Sequence, residues 1–293
     1  MIVAELSGGL GNQMFQFAAG YSLAARTGQN LFLDRSFYSR AHGANVTPRQ
    51  YALDVFECCQ RSWWPFERAF DMLSGPLLQN PTACERISVN FINDREAGYQ
   101  SLFANRWRIN VLRGYWQSFM YFNDYYEDLL ELFRVRRDLL SPDARSLPVS
   151  GQTTLCVDVR RGDYVSNADV AKVHGAKPAG YYSDAYELIA KHVGGEIDAC
   201  IVFSDDPEWC RRELNFPIEF RVFPNEKSGY KNSRKFYTMM NCGHFILSNS
   251  TFGWWAATLS QANSEKKVVA PKQWFSSKTD VARDLIPSAW IRC

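Results

Sequence analysis

The sequence lacks an excess of charge of either sign. Its 33 lysines and arginines nearly balance its 31 aspartates and glutamates, which leaves a formal net charge of +2. A general nucleic-acid-binding protein usually carries a clear basic excess, so this balance argues against a nucleic-acid partner. It leaves room for a local basic cluster that binds one small anion, because total charge does not report where the charges lie.

Long apolar runs are also missing. No stretch reaches the roughly 18–20 apolar residues that cross a bilayer, so we expect no membrane-spanning helix. The opening residues, MIVAELSGGLGNQ, contain no basic segment followed by an apolar one, so we expect no signal peptide. These absences predict a cytoplasmic protein.

Motifs for metal binding are absent as well. The eight cysteines include no Cys-x-x-Cys pair, which gives a structural zinc site little support. The four histidines are scattered, at His42, His174, His192 and His244. No Asp-x-Asp tripeptide offers the clustered carboxylates that Mg²⁺ or Mn²⁺ prefers, so we expect no metal and no cofactor. Cys156, Cys200 and Cys242 lie in apolar runs and are predicted to be reduced core residues.

What the chain does contain is an alternation of short apolar strands with helical segments. IVAEL (Ile2–Leu6), a helix-period run over 13–26 and NLFLD (Asn30–Asp34) form the strand–helix–strand opening of a parallel α/β domain. From TLCVDVR to KVVAP the second half alternates in the same way, which is typical of a parallel sheet covered on both faces. In such sheets ligands bind beyond the carboxyl ends of the strands.

The length of 293 residues suggests two domains at roughly 150 residues each. The segment 141–152 is rich in proline, serine and glycine and is the predicted linker. We therefore predict an α/β fold with domains at 1–150 and 151–293.

Residues 36–105 give weaker signals. An aromatic, helical patch is predicted here from four residues, Trp63, Trp64, Phe66 and Phe70. Beyond it, VLRGYWQS (111–118) is predicted to be a strand with its exit loop, and Asn123 to cap a helix over 124–133.

The segment VDVRRGDY ends the first strand of the second half. Side chains alternate along a strand, so Asp158 and Arg160 are expected on one face and Arg161 on the other. Guanidinium groups match phosphate oxygens, and Gly162 lets a ligand approach closely. The alternative is a structural Arg–Asp network in which Arg161 pairs with Asp163.

The segment SNSTFGWWAATL joins another strand end to a helix. The strand is expected to end at Ser248–Asn249, and Ser250 or Thr251 is a natural N-cap. The free N–H groups of the helix start could bind an anion. The alternative is plain capping, with Trp254–Trp255 as core residues.

The segment SGGLGNQMFQ places three glycines between the first strand and its helix. It matches neither the Gly-x-Gly-x-x-Gly loop nor the Walker loop, so nucleotide-phosphate binding by these two loops is disfavoured. The amides of Asn12 and Gln13 remain available to a ligand. The alternative is a tight turn without a ligand.

The segment FSDDPEWC carries Asp205 and Asp206 after a strand. These carboxylates could accept hydrogen bonds from a base or ribose. The alternative is that they cap the helix that Pro207 opens.

Five segments occur in order: GGLGNQMFQFAAGYSLA, GYWQS, VRRGDYV, FSDDPEWC and SNSTFGWWAA. Together they resemble the α-1,2-fucosyltransferases of glycosyltransferase family 11. The resemblance implies the GT-B architecture, in which two Rossmann-like domains face each other across a cleft. It implies GDP-fucose as the donor, bound mainly by the C-terminal domain, and inverting transfer without an essential metal.

The resemblance further implies that the acceptor is the 2-hydroxyl of a terminal galactose, held mainly by the N-terminal domain. Bacterial family members act on lipid-linked surface glycans, such as O-antigen, from the cytoplasmic side. The expected location is therefore the cytoplasm, with peripheral contact to the inner face of the membrane.

The segments and the resemblance together predict the site. The catalytic residues are predicted to be Asn12, Asp158, Arg160 and Asp163. The predicted GDP-fucose contacts are Gly9, Gly11, Asn12, Gln13, Arg160, Arg161, Ser204, Asp205, Asp206, Ser248, Asn249, Ser250, Thr251 and Phe252. The predicted acceptor contacts are Tyr115, Trp116, Gln117 and Tyr164. Arg160 is expected to stabilise the charge on the leaving diphosphate, at about 3–4 kcal/mol for one preorganised donor.

Two residues depart from the family pattern. Asp158 stands where the family usually has histidine, and Lys235 stands where many relatives have aspartate. Asp158 could be the general base, hold Arg160 in place, or contact the nucleotide. We predict that it holds Arg160, because a neighbouring arginine makes a carboxylate a weaker base. The sequence does not name the base.

Two other functions remain open. A fucosyltransferase of another linkage, α-1,6 or protein-directed, would share the arginine-rich segment and the GT-B fold. A non-catalytic module that binds a GDP-sugar or a glycan would share the fold alone.

Overall fold

The structure is a computed structural model of the chain. It describes residues 1–40, 48–59, 76, 78, 80–94, 98–140, 151–194, 197–276 and 284–293. The chain divides into two compact units, Met1–Arg134 with Val281–Leu285 and Val135–Asp280 with Ile286–Cys293. The predicted aromatic patch and residues 141–150 of the predicted linker lie outside the described residues.

The first unit is built on a four-stranded sheet. Its strands are β1 (Ile2–Glu5), β2 (Leu31–Asp34), β3 (Val89–Asn93) and β4 (Ile109–Arg113). They pair in the order β2-β1-β4-β3, and every pairing is parallel. Ile2 and Val3 of the central strand β1 are fully buried, as expected for a strand covered on both faces. The predicted strands in this unit are confirmed.

Helices lie between these strands in the chain or follow the last of them. They are α1 (Leu10–Thr27), α2 (Pro81–Arg86) and α3 (Tyr126–Leu132). Short 3-10 turns occur at Ser36–Ser39, Leu53–Val55, Glu57–Cys59, Phe119–Tyr121 and Asn123–Tyr125. The prediction that Asn123 caps a helix is wrong, because Asn123 begins a 3-10 turn and α3 follows without a side-chain cap.

Helix α1 begins three residues before the predicted start at Gln13. Gly9 has an extended backbone and precedes the helix as its N-cap, and the Gln13 N–H donates to the Gly9 carbonyl at 3.1 Å. The helix ends at Gly28, whose φ of 65° is the left-handed conformation common after a helix. The glycine-rich segment is therefore a short turn that leads directly into α1.

The second unit is built on a six-stranded sheet. Its strands are β5 (Gly151–Val159), β6 (Ala199–Ser204), β7 (Phe220–Val222), β8 (Cys242–Ile246), β9 (Val268–Ala270) and β10 (Ile291–Arg292). They pair in the order β10-β9-β8-β5-β6-β7, again in parallel throughout.

Helices alternate with these strands as the sequence predicts. They are α4 (Gly162–Ser166), α5 (Ala168–Val173), α6 (Ala179–Val193), α7 (Pro207–Glu213), α8 (Ser233–Met240) and α9 (Thr251–Leu259). The 3-10 turns are Arg137–Leu139, Asn225–Lys227 and Tyr230–Asn232. Two parallel sheets with intervening helices confirm the predicted α/β class.

The core of the second unit lies around β5. Cys156, Cys200 and Cys242 are buried and free, which confirms their predicted core positions. No helix in the described part of the chain combines the length and the apolar composition needed to cross a membrane.

Candidate active site

Three of the predicted segments meet at one edge of the second sheet. Strand β5 lies between β6 and β8, and all three run in parallel. Val159 at the end of β5 pairs with Ser204 at the end of β6. Because parallel strands end at the same edge, the segments that follow β5, β6 and β8 begin side by side. This places RRGD, SDD and SNST together.

Arg160 is held between two carboxylates. Its Nη2 lies 2.5 Å from Asp163 Oδ1, and its Nη1 lies 2.5 Å from Asp205 Oδ2. Burial by itself lowers the pKa of the guanidinium, but the charges of Asp205 and Asp163 outweigh burial and raise it. The side chain remains 26% exposed, so a ligand can reach a guanidinium that is charged and fixed in orientation.

Gly162 makes this arrangement sterically possible. A Cβ at this position would lie 2.6 Å from Asp205 Oδ2 and 3.1 Å from Asp205 Cγ. Any side chain here would displace Asp205 from Arg160. Within the chain, the group that lies close to Gly162 is therefore the Asp205 carboxylate, and the close approach of a ligand stays a prediction.

Arg161 binds the connection that follows β6. Its backbone N–H donates to Asp205 Oδ1 at 2.9 Å, and its Nε donates to Asp206 Oδ2 at 3.1 Å. Its guanidinium lies 4.0 Å from the ring centroid of Trp209. Asp206 Oδ1 also accepts from the Trp209 N–H at 3.2 Å, so Asp206 caps the helix that Pro207 opens. The capping alternative is confirmed for Asp206.

The alternative in which Arg161 pairs with Asp163 is wrong in its partners, because Arg161 pairs with Asp206. Helix α4 begins at Gly162, immediately after the two arginines. Asp163 lies in the first turn of α4, three residues after Arg160, and pairs with it across the start of the helix. An Arg–Asp network is present, but Asp163 belongs to the first arginine of the pair.

Asp158 is 5% exposed and lies beneath the start of α9. Ser248 Oγ donates to Asp158 Oδ2 at 2.7 Å. A Cβ on Gly253 would lie 2.5 Å from the same oxygen, so a glycine is needed where α9 meets the carboxylate. Burial raises the pKa of Asp158 to about 6, although the Ser248 hydrogen bond and the charge of Lys235 act to lower it.

The prediction that Asp158 orients Arg160 through a hydrogen bond is wrong. The two terminal nitrogens of Arg160 bind Asp163 and Asp205 instead. The prediction assumed that the alternation of a strand extends to Arg160. Strand β5 ends at Val159, so the alternation stops one residue earlier.

Lys235 is the second departure from the family pattern, and its charge affects the pKa of the first, Asp158. It projects from α8, and its Nζ donates to the Ser204 carbonyl at 3.4 Å. Burial lowers the pKa of Lys235, whereas the charges of Asp158 and Asp205 act to raise it. Among the charged groups around Asp158, Lys235 has the largest effect on its pKa. The two departures are therefore of opposite charge and stabilise each other's charged forms.

The segment after β8 supplies the start of a helix. Ser250 Oγ accepts from the Gly253 N–H at 3.5 Å, which confirms the predicted cap. Thr251 and Phe252 follow in the first turn and are half-buried. Backbone N–H groups in a first turn have no partner within the helix, so they can bind an anion. Trp254–Trp255 are fully buried, which confirms the core alternative for this pair.

Asn249 binds the protein's own backbone. Its Nδ2 donates to the carbonyl oxygens of His174 at 2.6 Å and Trp274 at 2.9 Å. The backbone carbonyl of Asn249 accepts from the Tyr164 hydroxyl at 3.0 Å. The side chain therefore joins three segments of the second unit, and we no longer assign it a contact with the donor.

The glycine-rich turn of the first unit is held by a buried amide. The Nε2 of Gln13 donates to the carbonyls of Gly8 and Gln50, each at 3.0 Å, and its Oε1 accepts from the Ala52 N–H at 2.8 Å. The Tyr38 hydroxyl also donates to the Gly8 carbonyl, at 3.1 Å. Gly8 has a φ of 73°, which favours glycine. Since Gln13 is fully buried, it shapes the turn instead of meeting a ligand.

Asn12 and Gln117 form the accessible part of this region. Gln117 Nε2 donates to Asn12 Oδ1 at 3.0 Å, and both residues are half-buried. Tyr115 is 48% exposed. Trp116 is fully buried, and its backbone N–H donates to Asp94 Oδ2 at 2.8 Å. Tyr115 and Gln117 can therefore meet an acceptor, while Trp116 supports them.

Exposure divides the predicted site residues into two groups. The exposed or half-buried ones are Gly9, Asn12, Tyr115, Gln117, Arg160, Arg161, Asp163, Tyr164, Asp205, Asp206, Thr251 and Phe252. The buried ones are Gly11, Gln13, Trp116, Asp158, Ser204, Ser248, Asn249 and Ser250. Side chains of the first group are accessible to solvent, whereas those of the second group are enclosed by the protein.

Three residues near these segments were not predicted to have a role. Tyr38 and Asp94 come from residues 36–105, where the sequence gave few signals, and they hold the glycine-rich turn and the GYWQS segment. His174 stacks on Tyr164 with ring centroids 4.9 Å apart. A histidine that follows the arginine pair after two short helices was the available signal for it. Within the described ranges, no three His, Cys, Asp or Glu side chains are grouped to hold a metal ion.

Comparison with known proteins places these features in one family. The model of Glycosyl transferase family 11 matches residues 77–292. The O-antigen biosynthesis glycosyltransferase WbnK of Escherichia coli is 30% identical, over 98% of this chain and 98% of the relative. An alpha-1,2-colitosyltransferase of Escherichia coli is 28% identical, over 100% of this chain and 98% of the relative. The galactoside 2-alpha-L-fucosyltransferase SEC1 of Bos taurus is 27% identical, over 86% of this chain and 62% of the relative. The family expected from the five segments is confirmed: this chain belongs to glycosyltransferase family 11.

Proposed function

We propose that this chain transfers L-fucose from GDP-fucose to the 2-hydroxyl of a terminal galactose, with inversion and formation of an α-1,2 linkage. Two relatives support the linkage, since one is named an alpha-1,2-colitosyltransferase and the other a galactoside 2-alpha-L-fucosyltransferase. The O-antigen name of a third relative supports a role in surface polysaccharide synthesis. The proposal places the chain in the cytoplasm, in peripheral contact with a membrane that carries a lipid-linked acceptor.

The position of Arg160 is the observation that carries the proposal. Cleavage of the sugar–phosphate bond leaves negative charge on the β-phosphate of GDP. Asp163 and Asp205 fix the guanidinium in place, yet a guanidinium has five N–H donors and so keeps others for phosphate oxygens. A donor preset in this way stabilises the transition state by about 3–4 kcal/mol.

The start of α9 supplies a second contact for the diphosphate. Thr251 and Phe252 follow β8, and Arg160 follows β5, which is the neighbouring strand. A diphosphate over these two strand ends would meet a cation and a helix N-terminus together. Asp205 and Asp206 bind the arginine pair, so we assign them to holding the arginines and not to the base or ribose.

Neutral groups of the first unit suit the acceptor. Asn12 was predicted to be a catalytic residue and a GDP-fucose contact, but because it pairs with Gln117 we assign both amides to the hydroxyls of the acceptor. The exposed ring of Tyr115 offers an apolar face for a sugar ring. The positive charge at the leaving group comes from Arg160, so the proposed reaction needs no divalent metal.

The test is transfer to a panel of galactose-terminated oligosaccharides, with linkage analysis of the products. We expect release of GDP that depends on the acceptor, and an α-fucose on O2 of galactose. Parallel reactions contain GDP-colitose in place of GDP-fucose. A third set contains excess EDTA, with and without added Mg²⁺ or Mn²⁺.

Each contrary result removes one part of the proposal. Preferred transfer of colitose would replace the donor, and fucose on a 6-hydroxyl or on protein would replace the linkage. Tight GDP-fucose binding without turnover would identify a non-catalytic binding module. A loss of more than about tenfold in EDTA that metal restores would contradict the role given to Arg160.

A further inference from the structure

A stack of aromatic rings lies beside Arg160 in the second unit. The rings of Tyr164 and His174 are parallel, with centroids 4.9 Å apart and 7° between their planes. The ring of Phe275 packs against His174 at 5.5 Å. The guanidinium carbon of Arg160 lies 5.5 Å from the Tyr164 ring centroid. Tyr164 is therefore a neighbour of both Arg160 and His174.

We propose that His174 is the general base that takes the proton of the acceptor hydroxyl. This inference rests on the proposed function, because it concerns the same transfer. The acceptor oxygen forms a bond to the anomeric carbon of the donor sugar, and the bond from that carbon to the β-phosphate oxygen breaks. The electron pair of the broken bond leaves on GDP next to Arg160, and the hydroxyl proton goes to the imidazole of His174.

The backbone of His174 is fixed by hydrogen bonds from two segments. Asn249 Nδ2 donates to the His174 carbonyl at 2.6 Å and to the Gly175 carbonyl at 3.3 Å. The Ser276 N–H donates to the Val173 carbonyl at 2.7 Å. A catalytic base must be held within hydrogen-bond reach of its proton, and such support from rigid neighbours provides that precision.

The imidazole of His174 packs against neighbouring aromatic rings, while its Nδ1 makes no hydrogen bond within the described residues. This atom is buried and has no hydrogen-bond partner among the described residues. Since Nδ1 of His174 is shielded, Nε2 is the nitrogen that a substrate hydroxyl would meet. The aromatic contacts fix the ring plane, so Nε2 has a defined direction before substrate arrives.

The electrostatic surroundings keep this ring in the neutral form, which is the form that can accept a proton. Burial lowers the pKa of His174, while Asp163 acts to raise it and Arg160 to lower it further. The ring is therefore neutral at neutral pH. The other acid–base groups facing it serve other purposes, since Asp163 binds Arg160 and burial raises the pKa of Tyr164, which keeps its hydroxyl protonated.

The first experiment compares His174→Gln and His174→Ala with wild type. We expect kcat to fall at least about 10²-fold, the lower range for loss of a general base. The Kd for GDP-fucose, measured by calorimetry, should stay within about twofold, because a base for the acceptor does not bind the donor. His192→Gln is the matched control, since His192 is exposed on α6 and should change neither quantity. A folded His174 variant that retains near-normal kcat, or one that loses kcat and donor binding together, would overturn the proposal.

Added imidazole separates a base from a residue that only packs. Imidazole in solution should restore part of the kcat of His174→Ala in a saturable manner. It should not restore the kcat of Phe275→Leu, in which the base is present but its packing is loosened. Failure of imidazole to raise the activity of a folded His174→Ala protein would count against the base role.

The pH dependence of kcat in the wild-type protein tests the proposal without any substitution that could impair folding. Its kcat should fall toward acid pH as one proton is taken up. Ionisation of an imidazole depends strongly on temperature and that of a carboxylate does not, so the midpoint should move to lower pH on warming. A midpoint that stays fixed would assign the change to a carboxylate such as Asp158 and would remove His174 as the base. A wild-type chain that transfers to no galactoside would overturn the proposed function and this inference together.

Discussion

Two segments follow a strand in the same way but are held by different interactions. One is the glycine-rich turn of the first unit, and the other is the RRGD segment of the second unit. Neutral amides hold the first, through the buried Gln13 and the Asn12–Gln117 pair. Ion pairs hold the second, where Arg160 binds two carboxylates and Arg161 binds a third. The same strand-end position is therefore built from neutral groups in one unit and from charged groups in the other. Amides suit sugar hydroxyls, while a fixed guanidinium suits phosphate.

The largest effect should come from removing the charge of the second region. Arg160→Ala should lower kcat/KM at least about 10²-fold, because a preset donor to the leaving group is lost. Arg160→Lys should restore only part of the activity, since an ammonium lacks the planar fork that fits phosphate and the two carboxylates. The measurement is initial rate against both substrates.

Arg211→Ala serves as the control for Arg160→Ala. Arg211 lies on α7 and pairs with Glu208, and its side chain is 52% exposed. Its loss should leave kcat/KM unchanged. Near-normal transfer by a folded Arg160→Ala protein would show that charge at this strand end does not carry the reaction.

The next effect should come from the buried amide of the first region, and it should appear in stability. Gln13→Ala leaves the buried N–H of Ala52 without its acceptor, at a cost of about 1–3 kcal/mol. Denaturant unfolding should detect this loss, whereas Gln261→Ala, at an exposed position, should not change the midpoint. If Gln13→Ala keeps full stability but loses donor affinity, Gln13 contacts substrate and the two regions differ less than we infer.

A smaller effect should come from the accessible amide pair. Gln117→Ala should raise KM for the galactoside by roughly 5–10-fold, as expected for one uncharged hydrogen bond of about 1 kcal/mol. The Kd for GDP should not change. A change in GDP affinity without a change in acceptor KM would reverse the roles that we give the two regions.

The smallest effect on transfer should come from Asp158→Asn, whose effect on stability should depend on pH. Burial raises the pKa of Asp158 in the folded protein to about 6, above its ordinary 3.8, so protonation favours the folded state. That contribution is fully present below the unfolded pKa and is lost as pH rises through about 6. The uncharged variant should therefore be more stable than wild type near pH 8, by up to about 3 kcal/mol, because the raised pKa already includes the attraction to Lys235. The difference should vanish below the unfolded pKa.

Calorimetric Tm values across the pH range would test this prediction. Transfer activity of Asp158→Asn should remain substantial, because Arg160 is held by other carboxylates. A variant that is less stable at every pH would show that attraction to Lys235 outweighs burial.

The sequence predicted the elements that carry the site, because apolar strands alternate with helices and end in glycine, proline or capping residues. Ser250 and Pro207 mark helix starts that the structure confirms. The partners of the arginines could not be predicted in the same way. They depend on where β5 ends and on Asp205 arriving from the neighbouring strand, and neither follows from alternation. His174 was missed for a similar reason, since only the packed fold brings its ring against Tyr164.

The most direct test of our central claim is calorimetric binding of GDP and GMP to wild type, Arg160→Ala and Gln117→Ala. The claim is that the charged strand end of the second unit binds the diphosphate and the neutral region of the first unit does not. We predict that wild type and Gln117→Ala prefer GDP over GMP to the same extent, and that Arg160→Ala loses most of this preference. An unchanged preference for GDP in Arg160→Ala, or its loss in Gln117→Ala, would contradict the claim.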